Sequence, residues 1–222
     1  MNLPEKYIQD LLVRFTYHSV SMAGYETTPK AVISILLDQH HPENTDNETF
    51  LIIDNHRYAM ELIIRKAINH DALTFPLLFE LHHRLLKDID PNRGQFKTKP
   101  NKIKGNTFIP ASPEETPILM KQSIDDINEK VTADTSPSDL IGLVSLFAVV
   151  FEHIQPFERG NGMLARLAMN FLLMKEEIVP WIVTVDDAAF YQKLLHKQNV
   201  EGLTHFAEKM IHEEEMRKKT FE

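Results

Sequence analysis

The sequence predicts an all-α protein, and three observations favour this fold class. Hydrophobic residues make up 43% of the 222 positions, whereas only 7 residues are glycine. Apolar residues recur at helical spacing in several segments. Neither a long linker nor an internal repeat divides the chain, which is long enough to bury a sizeable core. We therefore expect one compact helical protein.

Composition excludes several classes of function. The chain has 24 basic and 32 acidic residues, a formal charge of −8, which disfavours general nucleic-acid binding. It has no cysteine, so disulfides and thiolate metal sites are excluded. Its start lacks the apolar core of a signal peptide, and no run approaches the length of a membrane span. We predict a cytoplasmic protein without a membrane or nucleic-acid partner, and leave homo-oligomerisation open.

The first 131 residues of the chain contain three predicted helices. Residues 16–28, TYHSVSMAGYETT, are typical of an amphipathic helix that stops at Gly24. Residues 73–88 and 117–131 also show helical spacing. The adjacent histidines His82 and His83 face different sides of such a helix and make poor joint metal ligands.

The clearest helix lies in the second half. Ser136 can cap it, and Pro137 fits its first position. Residues 140–151 are nearly all apolar, which indicates a helix buried on all sides. Residues 163–174 are similarly apolar, so these two helices should form the central pair. Residues 191–218 are expected to form a charged outer helix that ends in a solvated or frayed run.

Residues 93–110, RGQFKTKPNKIKGNTFIP, are rich in Gly, Pro and Asn, and favour a hairpin over a helix. Their lysines, at Lys97, Lys99, Lys102 and Lys104, form the main basic cluster of an acidic chain. Two interpretations remain open. The segment is a flap that binds a partner, or it is a solvated edge that lysines guard against aggregation.

Residues 151–166, FEHIQPFERGNGMLAR, indicate an anion site between the two central helices. A Gly-Asn-Gly turn that opens a helix leaves backbone N–H groups free for a phosphate. Gly160 and Gly162 would let the backbone approach a ligand closely, and Asn161 could offer its amide. Arg166, one turn into the helix, can reach back to the same anion.

This segment resembles the signature of the Fic/Doc, or Fido, family: His-Pro-Phe, any residue, an acid, Gly-Asn-Gly-Arg, two residues, Arg. The resemblance implies a Fido-fold helical bundle with a small β-hairpin flap over the active-site loop. It also implies a protein related to enzymes that transfer AMP from ATP to protein hydroxyl groups. The matching positions are Pro156, Phe157, Gly160, Asn161, Gly162 and Arg166. The residues predicted to bind the nucleotide are Phe157, Arg159, Gly160, Asn161, Gly162 and Arg166.

Three positions depart from the signature. Gln155 stands at the general-base histidine, Arg159 at the acid that holds magnesium, and Met163 at the first arginine. An amide cannot accept the hydroxyl proton near neutral pH. A guanidinium cannot ligate a cation, so the Mg²⁺ site is predicted to be lost. We therefore predict a catalytically impaired or inactive member, a pseudoenzyme that still binds the phosphates of a nucleotide such as ATP.

The alternative is an active nucleotidyltransferase with non-standard catalytic residues. Arg159 would then contact phosphate in place of the metal, although it could equally be an exposed arginine on a decayed loop. His153 is a poor substitute base, because two residues along a helix turn a side chain by about 200°. Glu158 is best interpreted as a solvated loop carboxylate.

The resemblance extends to two further segments. Many family members carry an inhibitory helix, and here Ala23 takes the place of its glutamate and Tyr25 that of its asparagine. The flap implies a protein target that docks as an added strand on its exposed edge. We place this contact at Lys102, Ile103, Lys104 and Gly105.

The implied organisation has three parts. Residues 1–72 would form an N-terminal helical extension, with the inhibitory-type helix at about 15–25. Residues 73–212 would form the Fido domain, and residues 213–222 a charged C-terminal end.

Overall fold

The computed structural model describes residues 3–101 and 108–221. Within these residues it contains nine α-helices, one short 3-10 helix and no β-strand, which confirms the predicted all-α class. The helices are α1 (Glu5–Met22), α2 (Pro29–Leu36), α3 (Asn47–Ile68), α4 (Phe75–Leu85), α5 (Thr116–Lys130), α6 (Pro137–Ile154), α7 (Asn161–Lys175), α8 (Ala188–His196) and α9 (Val200–Lys218), followed by the 3-10 turn Lys219–Phe221.

Helices α6 and α7 form the central pair, as predicted. Ser136 caps α6 by accepting a hydrogen bond from the Asp139 N–H at 3.2 Å. Every residue of α7 except Gly162 is buried, and α7 packs between α6 and α3. Helices α5, α8 and α9 pack against α6. The loop between α6 and α7 is therefore held by the most buried part of the fold.

The length and composition of α6 contradict one expectation from the sequence. Its 18 residues are long and apolar enough to cross a membrane. Half of the helix is buried inside this fold, as in the core helix of a folded domain. Its length and apolar composition are therefore only weak support for a membrane span.

The C-terminal part of the chain also differs from the prediction. Residues 191–218 form two helices rather than one, because the chain turns at residues 197–199. Gln198 adopts a left-handed conformation there, with φ = +51°, and Asn199 caps α9 by accepting from the Gly202 N–H at 2.9 Å. The run 213–219 is mostly exposed, as predicted for a solvated face, but it is not frayed, since α9 continues to Lys218 and Glu214 is buried.

Glu214 joins the two ends of the chain. Its carboxylate accepts a hydrogen bond from the Tyr7 hydroxyl at 2.7 Å and two from the Arg14 guanidinium, at 2.7 and 2.9 Å. Asp10 accepts from Arg14 at 2.7 Å and from Arg217 at 2.8 Å. These charge-assisted bonds fix α1 against α9. The predicted helix at about 15–25 is the C-terminal part of α1, which this network holds in place.

The described parts of residues 93–110 form turns and loop, so the predicted β-hairpin is not shown. The docking residues proposed from the sequence, Lys102, Ile103, Lys104 and Gly105, lie outside the described residues. Lys97 is not a solvated edge lysine, because it is only 3% exposed. Its ammonium donates to the Ile154 carbonyl at 2.7 Å, at the end of α6, where a positive charge complements the helix dipole.

The segment before the gap in the described residues is attached to the loop that follows α6. The Lys97 N–H donates to the Pro156 carbonyl at 2.9 Å. The Asn101 amide donates to the carbonyl groups of Gln155 and Phe157, at 3.2 and 2.7 Å. The predicted flap segment therefore begins directly beside the predicted anion loop.

Candidate functional site

The loop between α6 and α7 takes its shape from two residues with positive φ. Gln155 ends α6 in the left-handed region, with φ = +49° and ψ = +64°. Gly160 precedes α7 with φ = +78°. A Cβ atom at Gly160 would lie 3.2 Å from Cδ1 of Leu86, so both its conformation and its surroundings favour glycine.

Asn161 closes this loop with its side-chain amide. The Phe157 N–H donates to Oδ1 at 2.9 Å, and Nδ2 donates to the Phe157 carbonyl at 2.7 Å. The amide is thus used within the loop, whereas the sequence analysis expected it to be offered to a ligand. Phe157 itself is fully buried, where it supports the loop from beneath and does not line the cavity described below.

His82, on α4, holds the loop from the opposite side. Its ring stacks on Phe157 with centroids 4.0 Å apart. The Gly94 N–H donates to Nδ1 at 2.8 Å, so Nε2 carries the hydrogen and donates to the Arg159 carbonyl at 3.0 Å. Burial lowers the pKa of His82 to about 4, which keeps the ring neutral. Sequence analysis missed this role, although His82 lies on the apolar face of its helix.

The start of α7 provides backbone donors. Within the described residues no side chain caps this helix, and the first N–H groups of a helix lack intrahelical partners. Arg166 lies one turn into the helix, and its Nη1 is 3.3 Å from the position that a Cβ atom would take on Gly162. The guanidinium therefore lies beside the helix N-terminus, as the sequence analysis expected. An anion there would meet both the guanidinium and the positive end of the helix dipole.

Arg166 is oriented by α1. Its Nε donates to the Ser19 hydroxyl at 3.0 Å, and its Nη2 donates to the Ser19 carbonyl at 2.8 Å. The side chain is buried, and burial lowers the pKa of its guanidinium. Two of its three nitrogens are thus fixed by the protein, which leaves Nη1 on the side of Gly162.

One cavity of about 300 Å³ brings together most of the predicted site residues. The residues singled out from the sequence that line it are Ala23, Tyr25, Gln155, Arg159, Gly160, Asn161, Gly162, Met163 and Arg166. Ala23 contributes no carboxylate, in agreement with the sequence. His153, the substitute base considered above, faces away from this cavity. It lines a separate cavity of about 530 Å³ between α5 and α6, and its Nε2 lies 3.2 Å from the Leu195 carbonyl oxygen.

Glu152 supplies a carboxyl group to the 300 Å³ cavity. Burial raises its pKa to about 7, although Arg166 and a hydrogen bond from Gln155 act in the opposite direction. Its Oε1 lies 3.5 Å from Nε2 of His196 on α8. Sequence analysis missed this residue. The available signal was its position three residues before Gln155, on the same face of α6.

Arg159 has partners that its sequence neighbourhood does not reveal. Its Nη2 donates to Glu48 at 2.6 Å and to the Tyr25 hydroxyl at 3.1 Å. The Tyr25 hydroxyl donates to the same Glu48 oxygen at 3.0 Å. Arg159 is therefore exposed, as one interpretation expected, but it is paired with Glu48, so a phosphate would compete with that carboxylate for it. We call these three residues the Glu48 cluster.

The residues present do not fit a magnesium site. In the described residues, no group of three or more His, Asp or Glu side chains is arranged to hold a metal ion. The position that would supply the acid is occupied by the cation of Arg159. Glu158, the neighbouring carboxylate, is exposed and accepts from Thr98 at 3.0 Å and Asn92 at 3.2 Å. Magnesium prefers oxygen ligands, and this loop directs a guanidinium at the site instead.

Comparisons with known proteins agree with this geometry. Residues 72–173 match the model of the Fic/DOC family. The chain is 28% identical over 196 residues to the protein adenylyltransferase Fic of Drosophila willistoni, which covers 88% of this chain and 37% of the relative. It is 30% identical over 138 residues to the protein adenylyltransferase fic-1 of Caenorhabditis elegans, which covers 62% of this chain and 26% of that relative.

A solved structure shows the same fold. It is a Fic domain containing signaling protein from Bacteroides thetaiotaomicron, with a TM-score of 0.87, 23% identity, and coverage of 95% of this chain and 87% of that chain. The chain spans well under half the length of the curated relatives named above. Both relatives are named protein adenylyltransferases. The segment 155–166, which resembles the family signature, lies within the residues that match the family model. Residues 72–173 of the chain thus form a domain of the Fic/DOC family, and the chain is related to protein adenylyltransferases.

Proposed function

We propose that this protein binds the phosphates of a nucleotide, with ATP as the first candidate, at the N-terminus of α7, and that its AMP transfer is impaired. One observation carries the proposal. The uncapped start of α7 lies beside Nη1 of Arg166 and opens into a cavity of about 300 Å³. Backbone donors, helix dipole and guanidinium all favour an anion at that point.

The proposed impairment follows from three side chains in the same cavity. Gln155 cannot accept a proton near neutral pH, and loss of a general base lowers a rate by about 10²- to 10⁴-fold. Arg159 takes the place of the acid and is already paired with Glu48. Met163 brings no charge to the phosphates, so less of the developing negative charge is stabilised during transfer.

The binding we propose does not depend on a divalent metal. Arg166 and the backbone donors of α7 supply the positive potential that magnesium would otherwise provide. The affinity for a nucleotide should therefore be similar in Mg²⁺ and in EDTA.

A second candidate is residual nucleotidyl transfer with Glu152 as the proton acceptor. The observation that favours it is the carboxyl group of Glu152 in the cavity, beside Gln155 and with a pKa of about 7. The hydroxyl oxygen of a protein target would attack the α-phosphorus of ATP, its proton would pass to Glu152, and pyrophosphate would leave. Transfer that is lost in Glu152→Gln but retained in Glu158→Gln would support this candidate.

We further propose that the segment around residues 102–105 contacts a protein target, in the cytoplasm. The attachment of the preceding residues Lys97 and Asn101 to the anion loop supports this placement. A second concave surface, lined by Lys99, Asn101 and Glu158, lies beside the loop. Replacing Lys102 and Lys104 together should weaken target binding while leaving nucleotide binding unchanged.

Isothermal titration calorimetry tests the main proposal. The protein is titrated with ATP, ADP and AMP, in Mg²⁺ and in EDTA, and compared with Arg166→Ala and with Arg84→Ala. Arg84 is an arginine on α4 that pairs with Glu80 on the protein surface. Saturable binding that Arg166→Ala abolishes and Arg84→Ala retains would support the proposal, provided that circular dichroism shows both variants folded. Equal binding by both variants would contradict it.

A further inference from the structure

The Glu48 cluster connects three separate elements at the mouth of the cavity. Glu48 lies in the first turn of α3, Tyr25 follows α1, and Arg159 lies in the loop before α7. The Arg159 Nη2 to Glu48 Oε1 distance is 2.6 Å, and Tyr25 donates to the same oxygen. Each contact spans more than 20 residues of sequence, so the cluster is a product of the tertiary fold.

The cluster places a negative charge beside Arg159, the second guanidinium that lines the cavity. Arg159 and Arg166 both line the 300 Å³ cavity, Arg166 beside the start of α7 and Arg159 at the opening. A single phosphate can be bound by the helix N-terminus and Arg166 alone. A longer phosphate chain that reaches Arg159 would meet the Glu48 carboxylate paired with it. Hydrogen bonds from Arg159 and Tyr25 lower the pKa of Glu48, so it is ionised at neutral pH.

We propose that Glu48, by occupying Arg159, lowers the affinity of this site for a ligand with a chain of phosphates and leaves its affinity for a ligand with one phosphate group unchanged. The inference rests on the proposed function and names its ligand class more closely. Glu48 acts by competition for Arg159 and by repulsion of the second phosphate, so it is a determinant of specificity and takes no part in catalysis.

The exposure of the pair limits the expected effect. The side chains of Arg159 and Glu48 are 45% and 47% exposed, so solvent screens their interaction. Exposed pairs of this kind change an equilibrium by about two- to fivefold. Glu48→Gln should therefore raise the affinity for a phosphate chain by about that factor and leave the affinity for one phosphate group unchanged.

Calorimetry in EDTA tests this with four probes: inorganic phosphate, inorganic pyrophosphate, AMP and ADP. The first pair shows whether free phosphates are sufficient, and the second whether a nucleoside is needed. The variants are Glu48→Gln, Arg159→Ala and the double variant. Glu80→Gln is the matched control, because Glu80 forms a comparable surface pair with Arg84 at 2.6 Å and its loss changes the net charge equally.

The expected result is a gain for pyrophosphate or ADP in Glu48→Gln alone. This gain should be absent from Glu80→Gln, and smaller when the double variant is compared with Arg159→Ala, because only the repulsion by Glu48 is then removed. Equal gains for one and two phosphates would overturn the inference, as would no gain for either. Loss of phosphate binding in Arg166→Ala together with no effect of Glu48→Gln would reject only the inference. Absence of binding to every variant would reject the proposed function as well.

Discussion

Arg166 on α7 donates two hydrogen bonds to Ser19 on α1, one to its hydroxyl at 3.0 Å and one to its carbonyl at 2.8 Å. All the groups involved are buried, and the contact joins residues 147 positions apart. The N-terminal helix therefore fixes the direction of the arginine that we assign to phosphate binding. This relationship connects the stability of the fold with the geometry of the site.

Ser19→Ala removes the hydroxyl that accepts from Nε of Arg166. A buried donor that loses its partner costs about 1–3 kcal/mol in the free energy of unfolding. Urea denaturation should show a loss of this size. Ser21→Ala is the matched control, since the Ser21 hydroxyl is buried in the same helix without a partner in the described residues. Equal losses in both variants would show that the Arg166 contact contributes little.

Gly162→Ala tests the room that a phosphate needs. The new methyl group would lie 3.3 Å from Nη1 of Arg166, so it crowds the guanidinium at the proposed phosphate position. We expect ATP affinity to fall at least tenfold, a change of about 1.4 kcal/mol, while the fold is retained. Gly142→Ala, in α6, is the control because its methyl would meet its nearest neighbour only at 4.0 Å. Undiminished affinity in Gly162→Ala would argue against a phosphate at this helix start.

Glu152 should make stability depend on pH. Its pKa is raised from 4.5 to about 7, so between these values it is protonated in the fold and ionised in the unfolded chain. The free energy of unfolding therefore falls as pH rises from 4.5 to 7 and is level above that. Glu152→Gln removes this dependence, so the variant should gain about 1–3 kcal/mol relative to the wild type between pH 5 and pH 8.

Denaturation of both proteins at several pH values measures this difference, which cancels the contributions of other titrating groups. Glu158→Gln is the control. Hydrogen bonds lower the pKa of Glu158, chiefly the bond from Thr98, so it titrates below this window. A Glu152→Gln difference that is constant with pH would contradict the assigned shift.

His82 should stabilise the loop only while it is neutral. Burial lowers its pKa from 6.5 to about 4, so the unfolded chain binds the proton in this interval and stability falls as pH decreases through it. His82→Ala should lower the free energy of unfolding at pH 7 by about 2–4 kcal/mol, because it removes two buried hydrogen bonds and the stack on Phe157.

His82→Ala should also show a smaller loss of stability between pH 6.5 and 4 than the wild type. Its ATP affinity should fall, since the carbonyl of Arg159 loses its support. His83→Ala is the neighbouring control, as His83 is exposed. Similar denaturation profiles for the two variants would exclude a special role of His82 in the loop.

Restoring the family signature tests whether AMP transfer is impaired only by the side chains at Gln155, Arg159 and Met163. The contact between Arg159 and Glu48 is a reason to add a fourth substitution, because a carboxylate introduced by Arg159→Asp would lie near the Glu48 carboxylate. We expect Mg²⁺-dependent transfer of labelled AMP to a protein when Gln155→His, Arg159→Asp and Met163→Arg are combined with Glu48→Gln. A folded quadruple variant without transfer would show that the scaffold has lost more than these positions.

Much of the fold was predictable because its signals are local. The cap at Ser136 and the apolar run after it predicted α6, and the glycines of the loop predicted a tight turn before α7. The resemblance to the Fic/Doc family is confirmed by the match over residues 72–173. A local signal failed at Gln198, where a single left-handed residue divides one predicted helix into α8 and α9.

The missed features of the site depend on distant partners. In the sequence, Lys97 belongs to a cluster of lysines typical of a protein surface. In the structure it is buried, and its ammonium group donates to the Ile154 carbonyl, 57 residues away. The pairing of Arg159 with Glu48 crosses 111 residues, and no local pattern encodes it. The predicted docking residues, Lys102 to Gly105, stay a prediction because they lie outside the described residues.

The most direct test of the central claim is a nitrogen-15 NMR titration of the protein with ATP in EDTA. It follows each backbone N–H group separately, and the claim concerns the N–H groups at the start of α7. We predict saturable shifts concentrated at residues 160–163, with the same dissociation constant as calorimetry, and their loss in Gly162→Ala. Saturable binding whose shifts map to the cavity between α5 and α6, or no saturable shift at all, would contradict the account.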